Sequence, residues 1–104
     1  MSKFAATTAL IQKERPCLVL FYEERSGRSR RTEGHLAQVL QRRRNHTTFQ
    51  IHRVESGQRP DLASRFGIHT TPTLLVVQDK RVKTRLENPR GCKEIELALR
   101  PWLQ

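Results

Sequence analysis

The run Phe66-Gly67-Ile68-His69-Thr70-Thr71-Pro72-Thr73-Leu74-Leu75-Val76-Val77 passes from a helix end, through a proline, into an apolar segment of strand length. No other part of the chain constrains the fold as tightly. Gly67 suits the left-handed position that closes a helix, because it has no Cβ to clash there. Pro72 lacks an N–H and has a fixed φ, so it can lead into a strand but not continue a helix. The β-branched and aliphatic residues from Thr73 onward then read as a buried strand. Taken by itself, Pro72 is a turn proline.

The other elements fall on either side of this run. Cys17-Leu18-Val19-Leu20-Phe21-Tyr22 is a continuous apolar stretch, short for a helix and suited to a central strand covered on both faces. Before it, a short helix is predicted over 2–13, capped by Ser2 and ended by Arg15-Pro16. After it, Ser26-Gly27 signals a turn or cap, and Leu36, Ala37, Val39 and Leu40 predict a helix over 28–43. Its Arg42-Arg43-Arg44 end suits the negative pole of a helix dipole. Thr47-Thr48-Phe49-Gln50-Ile51-His52-Arg53-Val54 alternates as a second strand. Pro60, Asp61, Leu62, Ala63 and Phe66 give a short helix closed by Gly67. Strands over 73–78 and 81–86 flank Asp79-Lys80 as a hairpin. The last helix is predicted over 91–100, with Ile95, Ala98 and Leu99 inward, Pro101 ending it, and Trp102 and Leu103 anchoring the terminus. The sum is an α/β chain: a central mixed four-stranded sheet flanked by helices, in which a parallel pair joined by a right-handed crossover precedes an antiparallel hairpin.

A length of 104 residues predicts a single domain spanning 1–104. There is no apolar run of membrane-spanning length, and the first residues lack the apolar region of a secretory signal, so no membrane association and a cytoplasmic location are expected. Cys17 and Cys92, far apart in sequence, are expected to be reduced structural thiols. The formal charge of +10, from 20 Lys and Arg against 10 Asp and Glu, invites an anionic partner. No readout motif accompanies the charge, so nucleic acid is not the expected partner. His35, His46, His52 and His69 lack metal-ligand spacing and are read as surface or loop residues; no metal and no cofactor are expected. Neither a Ser/His/Asp arrangement nor a phosphate-binding glycine loop is present in the sequence, and no catalytic residue is assigned.

From about Pro16 to Leu103 the chain resembles the thioredoxin superfamily. The resemblance rests on the strand at Cys17, the turn Ser26-Gly27-Arg28-Ser29 opening the long helix, Phe66-Gly67-Ile68 before Thr71-Pro72-Thr73, and Ile95, Leu99 and Leu103. It implies a cis bond at Pro72 and a groove in which the backbone of Thr71 pairs with an extended peptide. It also equates Ser26 and Ser29 with the family's Cys-X-X-Cys pair, Leu20 with its buried acid, and Arg25 with the tryptophan before the motif. Serine forms no disulfide and leucine transfers no proton. The implied function is therefore a redox-inactive, noncovalent protein or peptide interaction module, with thiol–disulfide oxidoreductase activity not expected. The alternative is a thiol-redox accessory protein using Cys17, at the far end of the central strand, or Cys92. The segment Gly57-Gln58-Arg59-Pro60-Asp61-Leu62-Ala63-Ser64-Arg65-Phe66 also resembles the KaiB-like and SasA sensor-domain branch, which implies an adaptor. The extra N-terminal strand of full-length relatives is expected to be missing, leaving the strand at Thr47 to Val54 as an edge open to homodimer pairing unless His52 and Arg53 guard it.

Arg25, Arg28, Arg30 and Arg31 crowd the start of the long helix, where positive charge opposes the dipole. Free amides and guanidiniums together predict anion binding there: a phosphate, a carboxylate or an acidic protein segment.

Overall fold

Strand β1 (Cys17–Tyr22) lies at the centre of the sheet, as its unbroken apolar sequence requires. The structure is a computed structural model that describes residues 15–103, apart from the side chains at 43, 44 and 46. The helix predicted over 2–13 lies outside the described residues. β1 pairs in parallel with β2 (Gln50–Glu55) and antiparallel with β3 (Thr73–Gln78), and β3 pairs antiparallel with β4 (Arg81–Glu87). The strand order is β2-β1-β3-β4. Helix α1 (Gly27–Gln41) links β1 to β2, α2 (Pro60–Arg65) precedes β3, and α3 (Cys92–Leu99) follows β4.

Alternation along the strands divides the core between two faces. Leu18 and Leu20 of β1 join Leu74 and Val76 of β3, and against them pack Leu36, Val39 and Leu40 of α1 with Ile95 and Leu99 of α3. All are 5% exposed or less, so each contributes about 1.5–3 kcal/mol of transfer free energy. Phe21, Thr73 and Leu75 are buried on the opposite face, where the Phe66 ring lies 5.8 Å from that of Phe21.

Helix α1 ends at Gln41, short of the predicted Arg43, and residues Arg42–Thr47 wind into a tighter 3-10 turn. Asn45 is the cause. Its buried side-chain amide donates to Arg42 O at 2.9 Å and its carbonyl accepts Thr48 Oγ1 at 2.9 Å, while Thr48 N–H donates to Asn45 O. This local bonding competes with both helix and strand. β2 consequently begins at Gln50 rather than Thr47, and Phe49, predicted within the strand, turns into the core against Trp102 at 6.4 Å. The Trp102 indole donates to Gln78 Oε1 at 3.1 Å, which anchors the terminus.

Gly67 takes φ +64°, and Ile68 N–H closes α2 onto Ala63 O at 2.8 Å. Asp79 and Lys80 have φ of 56° and 63°, the pair of left-handed residues whose twist suits a two-residue hairpin. Among the described residues β2 is an outer strand. On it Arg53 pairs with Glu33 of α1 and lies 5.7 Å from the centre of the Tyr22 ring. His52, at the neighbouring position, is exposed.

Candidate functional site

The strand registers bring four connections to one end of the sheet. Tyr22 stands opposite Glu55, Phe21 opposite Thr73, and Thr73 opposite Glu87. The turn after β1, the loop after β2, the approach to β3 and the loop after β4 therefore meet beyond the carboxyl ends of β1 and β2, where open α/β sheets hold their ligands.

The turn after β1 is tied from three sides. Ser26 N–H donates to Glu23 O at 3.0 Å, and the Ser26 hydroxyl accepts the Ser29 amide at 3.1 Å as the N-cap of α1. The Ser29 hydroxyl, on a residue 2% exposed, accepts the Glu23 amide at 3.1 Å. From the end of β2, Glu55 reaches across: its carboxylate accepts the amides of Glu24 and Gln58, each at 3.0 Å. These bonds, that from Glu24 foremost, hold the Glu55 pKa below its ordinary value. Glu55 was not singled out in the sequence, because its role exists only once β2 is laid beside β1.

On the other side of this end, the Thr71–Pro72 bond is cis and Pro72 is buried. Pro72 O accepts Asn88 N–H at 2.7 Å, and the Thr73 hydroxyl donates to Thr70 O at 2.7 Å. The Arg85 guanidinium holds the carbonyls of Phe66 and Gly67. Among the described residues, no hydrogen bond engages the N–H or C=O of Thr71, which is half-buried. A residue with both backbone groups unpaired, held between the engaged carbonyls of Thr70 and Pro72, is an opening for another backbone.

The four arginines at the head of α1 do not share one site. Arg25 lines a recess with Glu23, Glu24 and Glu55, and Arg30 lines another with Glu23, Glu24 and Glu33. Arg28 and Arg31 line a cleft of about 220 Å³ with Thr32 and His35, opposite Asn88, Pro89 and Arg90. His35 departs from its reading as a surface or loop residue: it lies half-buried on α1, and its Nδ1 is buried without a hydrogen-bond partner.

Both cysteines are free thiols. Cys17 begins β1, at the opposite end of the sheet from the Ser26 turn. Cys92 begins α3, and its thiol donates to Gln38 Oε1 at 2.9 Å. Among the described residues, no three His, Cys, Asp or Glu side chains are grouped to hold a metal, and no helix is long and apolar enough to cross a membrane.

The thioredoxin family model matches residues 2–100 of the chain. Among solved structures, Trxlp from Edwardsiella tarda superposes with a TM-score of 0.73 at 15% identity, covering 100% of this chain and 96% of its own. A variant thioredoxin from Halobacterium salinarum gives 0.73 at 13% identity, covering 100% and 88%. Desulfothioredoxin from Desulfovibrio vulgaris gives 0.72 at 20% identity, covering 85% and 82%. At such identities the likeness is one of fold. No curated protein sequence matches the chain.

Proposed function

Because the chain belongs to the thioredoxin family, we propose that it is a redox-inactive member that binds an extended segment of a partner protein noncovalently beside Thr71 and Pro72. The observation that carries this reading is Thr71, whose N–H and C=O have no partner among the described residues while the carbonyls on either side of it, Thr70 O and Pro72 O, are engaged. A strand laid along it satisfies both groups, and backbone pairing of this kind supplies affinity with little demand on sequence.

The chemistry of the turn supports binding without reaction. The hydroxyls of Ser26 and Ser29 each accept a backbone amide, and among the described residues neither is hydrogen-bonded to a carboxylate or an imidazole that would activate it as a nucleophile. Leu20 is 1% exposed within an apolar cluster, so nothing ionisable lies at that position of the central strand. The Cys17 thiol belongs to the far end of the sheet, and that of Cys92 is engaged by α1.

The test is a selection of displayed peptides on the protein with both thiols alkylated. Peptides that bind are then resynthesised with single backbone amides N-methylated. The reading expects binders whose affinity falls on N-methylation at one or two central amides and whose titration moves the Thr71 amide resonance. Binders indifferent to every backbone N-methylation, or resonances that move only elsewhere, contradict it.

A further inference from the structure

We infer that the cleft between α1 and the loop after β4 is a binding site for a phosphoryl-type dianion, held by Arg28, Arg31 and Arg90. These three arginines come from two elements and line one cavity of about 220 Å³ whose lining contains no carboxylate. Among the described residues none of the three is in an ion pair, whereas Arg42 pairs with Glu96 and Arg59 with Asp61; Arg65, Arg81 and Arg100 are also unpaired, but they do not line this cavity. Glu94, four residues after Arg90, accepts the Arg90 backbone amide at 2.7 Å and is not part of the lining; Glu33 and Glu87, nearer in sequence to Arg31 and Arg90, pair with Arg53 and Arg85 instead. Like charges are thus gathered without a counter-charge, and a bound anion removes that repulsion.

The arrangement favours a phosphoryl group over a single carboxylate. A carboxylate offers two oxygens and one charge, which leaves two of three guanidiniums unanswered; a phosphoryl group offers three oxygens and nearly two charges to planar, forked donors. Two further features add to the positive field. The cleft lies beside the first two turns of α1, whose opening turn itself holds no acidic residue, so the positive helix pole adds to the field there. His35, one turn beyond Arg31 on the same flank, brings a ring with a buried, unpartnered Nδ1 to the cleft wall. Arg25 and Arg30, which open onto recesses that contain glutamates, are not part of this site.

The site stands apart from the peptide reading, since phosphate binding needs no peptide and peptide binding can be read with the cleft disabled. Amide resonances are followed while inorganic phosphate, O-phosphoserine, a phosphoserine peptide and acetate are titrated separately at low salt. Saturable shifts at residues 28–35 and 88–91 are expected with the three phosphoryl probes and not with acetate. Arg90→Glu and Arg31→Glu are expected to weaken phosphate binding by about tenfold or more, as loss of a charge-assisted pair does. Arg25→Glu changes the net charge equally and is expected to leave it unchanged. Thermal unfolding of each variant establishes that the fold is kept. Tighter binding of the phosphoserine peptide than of O-phosphoserine supports the site with a modified protein as source; equal affinity supports it with a small phosphate ester as source. Equal response to acetate, non-saturating shifts, or equal weakening by Arg25→Glu and Arg90→Glu would overturn the inference.

Discussion

The Ser29 amide donates to the Ser26 hydroxyl at 3.1 Å, while the Ser29 hydroxyl accepts the Glu23 amide at the same distance. The two serines are therefore structural acceptors that start α1 and close the turn before it. Ser26→Ala is expected to lower stability by about 0.5–2 kcal/mol, the usual loss for an N-cap. Ser29→Ala leaves a part-buried amide unsatisfied and is expected to cost about 1–3 kcal/mol. Urea unfolding of each variant measures both.

Gly34 and Gly67 are expected to respond to alanine with opposite signs. A Cβ on Gly34, inside α1, meets nothing within 4 Å, so Gly34→Ala is expected to stabilise by about 0.5–1 kcal/mol through the lower entropy of the unfolded chain. A Cβ on Gly67 also meets open space, yet its φ of +64° disfavours any side chain, and Gly67→Ala is expected to cost about 1–2 kcal/mol. Two destabilised variants would refute the helical account of Gly34.

Leu20 fills the core between the sheet and α1 at 1% exposure. Leu20→Ala is expected to cost about 2–5 kcal/mol by the same unfolding measurement. Leu20→Asp is expected to cost more at neutral pH than at acid pH, because a buried carboxylate without a partner is tolerated only when protonated.

Glu55 gives stability a dependence on pH whose direction follows from its bonds. Its folded pKa is held below the ordinary value, chiefly by the Glu24 amide, so the ionised form stabilises the fold. That contribution is complete above the ordinary carboxylate range and disappears as pH falls through the lowered folded value. Asp61, held down by its hydrogen bond from Arg59, acts in the same direction. Glu55→Gln is expected to be less stable than wild type at neutral pH, with the gap closing as the solution is acidified. A gap independent of pH would show that the charge of Glu55 is immaterial.

Much of this fold was legible residue by residue. The apolar run at Cys17, the glycine at 67 and the turn at Asp79-Lys80 carry their own local physics, and β1, the end of α2 and the hairpin lie where that physics puts them. The end of α1 is not legible in the same way: Arg42 to Arg44 are good helix formers, whereas the Asn45 side chain donates to Arg42 O and accepts from the Thr48 hydroxyl, a competition that propensity does not weigh. The site was legible only in part. Ser26, Ser29, Thr71 and Pro72 stood out through the resemblance, but Glu55, His35 and Arg90 became visible only when the registers and the loop after β4 placed them. Charge counting grouped Arg25, Arg28, Arg30 and Arg31 by sequence; the backbone sends them into three different recesses.

The central claim is that a partner's backbone is held beside Thr71 without thiol chemistry. Its most direct test is the dissociation constant of a selected peptide, measured on wild type and on the double variant Cys17→Ser and Cys92→Ser under reducing and oxidising conditions. The expected result is one affinity throughout, with no mixed disulfide on either protein. Loss of binding in the double variant, or a covalent adduct at Cys17 or Cys92 under oxidising conditions, would contradict the claim.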